Sequence, residues 1–444
     1  MANVWREASM LTDPVNIPVS MVYADTHVNA AIFRQSALLT HGEYQYTAFY
    51  APDETITLGR RRHDAASWEW ERIPHRGNVR DRHNVISIGI SRNGLLHVAY
   101  DHHNDPLRYR VGVASDSLEV GPEQPMTGQR ESRVTYPQFL SSPDGRFYFF
   151  YRDGKAHNGD LCLNVYDPDS GVWTPLHHPL IAGSGLNNAY WWRPGVGPDG
   201  SLHLAWCWRW GPDHPPPEGV RGMLRNSHVC YATSQDGGLT WCKSDGAQYV
   251  MPITHLSAEV VDPVPEGSNL MNQCSSTVDA QGRPHLVHYR NDEAGIPQII
   301  HAYFDGSEWH VRPITSFQKG FSLSHRPDVR SLLERRPLSR PDIAVGSDGT
   351  AYVIYRDARS GGRVQVMWAS APSYCDWKVR DLTDFPVGNW EPNYDPVAWR
   401  EREELHLWVH ACGEGWPERG AAGGPQMAYV VQASVSRGAS TTPL

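Results

Sequence analysis

Two histidines, a tyrosine and a set of arginines fall at the ends of repeated hairpin-like segments in this chain. Among them are His83 in RHN, His103 in DHHN, Tyr136 in TYP and Arg152 in FYRDG. Residues of these types can remove a proton next to a carboxylate. The proton α to a uronate carboxylate is weakly acidic, so taking it requires that the charge on the resulting enolate be neutralised. Arginine suits that task, because its planar fork binds a carboxylate through two nitrogens and never loses its charge. A neutral histidine or a tyrosine of lowered pKa can accept the proton, and the other group can protonate the leaving oxygen. The outcome is a β-elimination that cleaves a 4-linked uronate and requires no cofactor. No paired-carboxylate signature, P-loop or GxGxxG fingerprint accompanies the set.

Side chains this far apart in sequence need elements that deliver them to one place. Five segments share a single plan of polar or aromatic residue, short strand, Asp-Gly-like turn, strand and charged residue. They are HNVISIGISRNGLLHVAYDHH from His83, YPQFLSSPDGRFYFFYR from Tyr136, WWRPGVGPDGSLHLAWCWR from Trp191, QCSSTVDAQGRPHLVHYR from Gln273 and RPDIAVGSDGTAYVIYR from Arg340. Their turn glycines are Gly94, Gly145, Gly200, Gly282 and Gly349. Such turns between β-rich runs mark hairpins, since glycine takes the positive φ they need. TAFYAPDETITLGRRR after Tyr46 and NYDPVAWREREELHLWVHAC after Glu391 supply two further expected hairpins.

Residues equidistant from a hairpin turn face each other, and side chains alternate between faces. His83 and His103 are centred on Asn93, Tyr136 and Arg152 on Asp144, and Arg340 and Arg356 on Asp348. Gln273 and Arg290 are centred between Gln281 and Gly282, and Tyr190 or Trp191 falls opposite Arg209. Every polar pair therefore lies at the open end of its hairpin. If each hairpin holds the same place in its blade, one face of a disc gathers His83, His102 or His103, Tyr136, Arg152, Arg209, Gln273, Arg290, Arg340 and Arg356. An error of one residue in register exchanges His102 for His103. Singly, an arginine at a strand end is ordinarily a solvated rim residue and a histidine ordinarily structural. Several cations at one rim repel each other unless carboxylates or an anion offset them. Asp101, Asp153, Asp292 and Asp357 follow the same strand ends and are the expected internal partners, with an anionic ligand as the alternative.

The repeat spacing, on the order of 50 to 80 residues per unit, suits four-stranded blades with loops. Seven units over 444 residues predict an all-β, seven-bladed β-propeller occupying the whole chain, residues 1–444, as one domain. The stretch from about Val28 to Leu39 is expected to complete the last blade and close the ring, and Phe317 to Ser339 to form a long inter-blade loop. An Asp box, Ser234-Gln235-Asp236-Gly237-Gly238-Leu239-Thr240-Trp241, reads as a folding element between the outer strands of a blade. The 17 Trp, 20 Tyr, 39 Gly and 34 Pro favour short strands and tight turns over long helices.

A net charge of −9 speaks against a nucleic-acid partner, which would want a basic stripe, yet local arginines can still bind a small anion. No apolar run is long enough to span a bilayer, and the N-terminal MANVWREASMLTDPVN lacks the marks of an export signal. With seven cysteines and no CxxC pair, these features predict reduced thiols and a cytoplasmic location.

DRHNVISIGI, YDHHNDPLRYR, VTYPQF and FYRDG resemble the BNR-repeat propeller family that includes ulvan lyases and rhamnosyl-glucuronate lyases. The likeness is densest from about Asp81 to Trp241. It implies cleavage at a uronate linked to rhamnose, with His83, His103, Tyr136 and Arg152 as the catalytic residues. Arg209 in CWRW is then a second carboxylate or sugar contact, and His102, Gln273, Arg290, Arg340 and Arg356, gathered by the hairpin geometry, are expected as further substrate contacts. The implied partner is an anionic carbohydrate, with neither nucleic acid nor membrane. The same fold hosts α-L-rhamnosidases, which hydrolyse instead of eliminating, and a non-catalytic carbohydrate-binding propeller is a third reading. Family propellers can hold a structural calcium or zinc ion. His214, His228 and Cys230, then His285, His288 and Cys274, then His410 and Cys412 lie near one another in sequence, but their spacing names no ligands.

Overall fold

The computed structural model describes residues 10–220, 222–323, 336–413 and 424–436. Its strands form seven antiparallel sheets, which are the blades of a seven-bladed β-propeller. The innermost strands of six blades are Leu38–His41, Ile86–Ile90, Val134–Ser141, Asn187–Trp191 continued by Gly195–Val196, Ser275–Val278 and Asp342–Val345. All five turn glycines expected from the sequence have positive φ, between 77° and 85°.

A sevenfold repeat underlies the ring. Each inner hairpin turns through a residue of positive φ, which is Gly42, Gly94, Gly145, Gly200, Gly282, Gly349 or Glu403. Three residues later, each second strand carries a large buried side chain able to hydrogen bond: Gln45, His97, Tyr148, His203, His285, Tyr352 and His406. His97 is held between the hydroxyls of Ser91 (2.8 Å) and Tyr109 (2.6 Å), and His203 between those of Ser201 (2.8 Å) and Tyr231 (2.6 Å). Buried imidazoles of this kind fasten neighbouring strands, because a buried ring nitrogen left unpaired is costly.

The last blade departs from the expected hairpin. Asp395 accepts hydrogen bonds from the backbone of Val397 and Ala398 (both 3.1 Å) and so caps a short helix, Pro396–Arg402, with proline in its first turn. The helix stands where an inner strand was expected, and among the described residues the inner pairing is the bridge from Tyr394 to Leu407. Ring closure also differs from expectation. The outer strand Gln426–Ser436 pairs with Val15–Val22 and with Met10–Leu11, upstream of the 28–39 stretch. That stretch instead forms a turn, Ile32–Arg34, at the channel mouth. It reaches the last blade through side chains: Glu391 accepts from Ile32 N (3.1 Å) and Asn393 from Ala37 N (3.0 Å).

The Asp box lies after the third strand of the fourth blade, Asn226–Ser234. Asp236 accepts from the Thr240 amide (2.9 Å) and hydroxyl (2.7 Å) and from the Ser234 hydroxyl (2.8 Å), and Trp241 is buried beneath. Residues 324–335 of the expected inter-blade loop fall outside the described residues. No helix of the described residues is long and apolar enough to cross a membrane.

Candidate active site

The chain from Asn78 to Val85 links the first and second blades, and its folding is fixed from several sides. Tyr50 donates its hydroxyl to Asn84 O (2.7 Å), and Thr26 donates to Val79 O (2.7 Å). This places Asp81 between two histidines. Its oxygens lie 2.5 Å from His83 Nδ1 and 2.5 Å from His103 Nδ1, and the two rings stack 4.1 Å apart. Both Nδ1 atoms must therefore carry their protons and donate to the carboxylate, leaving each Nε2 as a lone pair when the ring is neutral. Burial would raise the Asp81 pKa, but the two imidazole hydrogen bonds outweigh it and hold the group well below the usual carboxylate range. For His83, burial together with the cations nearby outweighs Asp81 and brings its pKa down to about 4.

Tyr136 stands beside this pair. Its ring packs against His83 (6.1 Å), Phe33 (5.2 Å), Tyr190 (5.9 Å) and Trp191 (6.0 Å). The hairpin arithmetic set Tyr136 opposite Arg152, but Thr135 takes that place and the register shifts before Gln138. The extra residue is a β-bulge with Tyr136 at φ 57°, which turns its side chain into the mouth. Arg152 lies over the tyrosine ring at 5.1 Å. Its Nε donates to Gly154 O (3.1 Å) and its Nη2 to the Thr135 hydroxyl (3.1 Å), while Nη1 has no partner among the described residues. Arg209 lies 6.0 Å over Tyr190, and it too forms no ion pair among the described residues. Burial, then Tyr190, raises the Tyr136 pKa well above its ordinary value against the pull of Arg152, Arg209 and Arg340, so the phenol is protonated at neutral pH.

The expected residues sort into three groups. His83, His103, Tyr136, Arg152 and Arg209 come together. Arg340 and Arg356 are buried at the same mouth but are already engaged. Arg340 forks onto Glu391 (Nε to Oε1 2.7 Å, with Nη2 on Oε2) and donates to Asn272 O (2.7 Å), while Arg356 donates to Pro337 O (2.6 Å). Gln273 is fully buried beside them, without a hydrogen-bond partner for its amide among the described residues.

His102 and Arg290 lie elsewhere, contrary to expectation. His102 is buried behind the mouth, where it accepts from Arg108 N (2.7 Å); strand alternation turns it away from His103. Arg290 is drawn to Asp262 of the neighbouring blade (2.7 Å), which also holds His288 (2.9 Å).

The aspartates expected to balance the arginines do not do so. Asp101 binds His75 (2.8 Å), Asp153 faces Arg133 (3.4 Å), Asp292 caps its own turn at Ile296 N (2.9 Å), and Asp357 pairs with Arg359 (2.8 Å). Asp153 and Asp357 each follow an arginine directly along a strand, so they project from the opposite face. The acids actually present, Asp81 and Glu391, were missed, as were Arg82 and Arg336. Arg82 directly precedes His83 in RHN, and that adjacency was the available signal. Burial, then Arg82 itself, brings Arg336 down to about 9, the mark of cations crowded without enough counter-charge.

Three groups of described residues have metal-binding side chains in reach of one another: Asp81, His83 and His103; His63, Glu404 and His406; and Asp305, Glu308 and His310. None matches the clusters noted along the sequence. In the first, the Nδ1 protons already occupy Asp81. In the second, the Gln45 amide nitrogen donates to His406 Nδ1 (2.8 Å), and its oxygen accepts from Arg61 Nε (3.1 Å), which fixes its orientation. A neutral His406 then carries its proton on Nε2, the atom 3.2 Å from Glu404, and that atom cannot bind a metal. In the third, His310 donates to Asp305 (2.7 Å) at an exposed turn. A cavity of about 370 Å³ opens at the other mouth of the channel, lined by Leu39, Ile88, Phe139, Val345 and Trp399 among others. It holds none of the histidines, and the Arg193 that lines it is already paired with Asp342 (3.0 Å).

A solved polysaccharide lyase structure, described as an ulvan lyase bound to -[GlcA(1-4)Rha3S]-, superposes with a TM-score of 0.66 at 15% identity, covering 94% of this chain and 96% of that one. By sequence, the chain is 23% identical over 318 residues to an ulvan lyase of Nonlabens ulvanivorans, covering 63% of this chain and 66% of that protein. It is 26% identical over 188 residues to the long isoform of an ulvan lyase of Glaciecola sp. (strain KUL10), covering 31% of this chain and 19% of that protein. The chain thus spans about two thirds and about a fifth of the length of these two relatives. Residues 44–317, more than half of the chain, match the BNR repeat-containing family, and the chain belongs to it.

Proposed function

We propose that the protein is a polysaccharide or oligosaccharide lyase that cleaves a uronate-containing substrate, ulvan-like or rhamnosyl-glucuronate, by β-elimination. One observation carries this reading: two histidines orientated by a single carboxylate stand beside a protonated tyrosine, under arginines that lack acidic partners. The names of its relatives agree with it.

In this mechanism Arg152 and Arg209 bind the uronate carboxylate, which acidifies the neighbouring C–H and holds the enolate charge. His83 is the base, because it is the histidine that packs against Tyr136 and its Nε2 lone pair is free. It takes the C5 proton, the C4–O bond breaks as the double bond forms, and Tyr136 gives its proton to the departing oxygen. Asp81 keeps both histidines in the required tautomer. No step draws on a cofactor. Hydrolysis, the alternative, ordinarily uses a pair of carboxyl groups flanking the scissile bond. Asp81 is bound by two histidines and Glu391 by Arg340, which argues against that use.

The test is digestion of ulvan-type and rhamnose-capped glucuronate oligosaccharides. An ultraviolet-absorbing unsaturated uronate is expected. Sugar release without that absorbance would reject elimination, and binding without any release would leave a carbohydrate-binding propeller.

A further inference from the structure

Gln273 carries two costs at one position. Its backbone has φ 60°, a region that residues with a side chain seldom adopt. Its side chain is completely buried, yet neither Oε1 nor Nε2 has a hydrogen-bond partner among the described residues. A buried amide left unpaired is unfavourable, and such groups are rare in folded proteins. Two penalties on one residue need a compensating role.

Its place in the propeller supplies one. Gln273 lies two residues before an inner strand, and like Tyr136, which is at φ 57°, it reaches positive φ at the mouth end of its hairpin. Its neighbours lead to the same mouth. The preceding residue, Asn272, accepts a hydrogen bond from Arg340 through its carbonyl (2.7 Å). The Gln273 backbone amide lies against the Cys207 thiol, and Cys207 pairs across the strands with Tyr190, which packs on Tyr136. The Gln273 backbone therefore joins the residue that holds Arg340 to the strand that carries Tyr190.

We infer that Gln273 is a specificity-determining residue that reads the hydroxyl groups of a neutral sugar bonded to the uronate. This rests on the reading of the site as a uronate-cleaving one. The chemistry of the amide separates its ligand from that of the arginines. A guanidinium only donates and matches an anion, whereas an amide both donates and accepts and carries no charge. A sugar hydroxyl likewise donates and accepts, so one or two neighbouring hydroxyls satisfy both ends of the amide. A site built this way rejects a ligand without those hydroxyls, because its own buried groups are then left unpaired.

The test uses the full chain carrying Tyr136→Phe, so that binding is measured without turnover. Calorimetry with a rhamnose-capped glucuronate oligosaccharide compares this background with and without Gln273→Met, which keeps the volume and removes both polar atoms. Binding at least tenfold weaker is expected, together with a smaller penalty for a ligand whose neutral sugar lacks the hydroxyls. The melting temperature of Gln273→Met should equal or exceed that of the parent, since an unpaired buried amide has been removed. Gln273→Glu, which keeps one acceptor and adds charge, should also bind more weakly and provides a second folded variant. Unchanged affinity in Gln273→Met overturns the inference, as does failure of the Tyr136→Phe parent to bind the oligosaccharide. Ultraviolet absorbance with the wild-type chain reports separately on elimination, so the two readings can fail independently.

Discussion

Replacing Asp81 by asparagine should separate orientation of the histidines from everything else at the site. The carboxylate accepts from His83 Nδ1 and His103 Nδ1, each at 2.5 Å. Asparagine is nearly the same size but offers one oxygen and one NH2 group, so it can accept from only one of the two rings. The other ring meets a donor and must move its proton to Nε2; where that ring is His83, the lone pair that would take the C5 proton is lost. One hydrogen bond to a charged group is lost, worth roughly 1.5–3 kcal/mol. If that loss falls wholly on the transition state, the rate drops about tenfold to about 150-fold. A full tautomer switch at the base costs more, on the order of 10⁴ in a serine-protease triad. Initial rates of unsaturated-uronate formation should therefore fall by at least about tenfold, with KM changed much less, because Arg152 and Arg209 are untouched. Circular dichroism should be unaltered. An Asp81→Asn enzyme that keeps the wild-type rate while nitrogen NMR places the His83 proton on Nε2 would refute the claim that the tautomer set by Asp81 makes His83 the base.

Tyr136→Phe removes only the phenolic oxygen from a packed ring and should lower kcat by about 10²–10⁴-fold without loss of folding, as read by the same absorbance assay and a thermal melt. The pH profile of kcat/KM should hold level through neutrality. It should fall on the acid side as pH drops through about 4, where His83 becomes protonated; a rate that climbs steadily towards the tyrosine range would instead assign the base to Tyr136. The Glu391 carboxyl is held down to about 2 by the Arg340 fork, which overcomes the opposing effect of burial. Its stabilisation is thus complete above its unfolded value near 4.5 and is lost as pH falls towards about 2. Glu391→Gln leaves the buried Arg340 charge unmatched and should cost about 3–5 kcal/mol in urea unfolding at neutral pH, with that part of the acid dependence gone. Asp236→Ala should cost about 0.5–1.5 kcal/mol by removing the hydrogen bonds to the exposed Thr240 amide and hydroxyl of the Asp box, while leaving the reaction rate unchanged.

The sequence revealed the hairpins because their turns are chemically constrained. A residue at positive φ between two β-rich runs is visible as Asn-Gly or Asp-Gly, and convergence of the open hairpin ends followed from that geometry alone. Legibility failed where a single extra residue intervened. The bulge at Tyr136 moved the partner of Arg152 to Thr135 and still delivered the tyrosine to the same cluster. The aspartates were misassigned because spatial nearness was inferred from sequence nearness, whereas Asp153 and Asp357 must project opposite to Arg152 and Arg356. Asp81 lies in a loop without periodicity, and Glu391 reaches Arg340 across 51 residues, so no local pattern announced either. The closing strand was within reach of a closer look. Val15–Val22 reads VNIPVSMV, with apolar and polar residues alternating over its first positions. The last hairpin was legible in NYDPVAWREREELHLWVHAC, but nothing local announced that the short helix Pro396–Arg402 would stand before Glu403 in place of its inner strand.

Elimination and hydrolysis differ in how the glycosidic bond is broken, and cleavage in heavy-oxygen water observes this directly. Mass spectrometry of the products from a rhamnose-capped glucuronate oligosaccharide should show an unsaturated uronate and no heavy oxygen incorporated at the cleaved bond. A saturated uronate or sugar carrying the heavy atom would mean that water, and not the C5 proton transfer to His83, breaks the linkage.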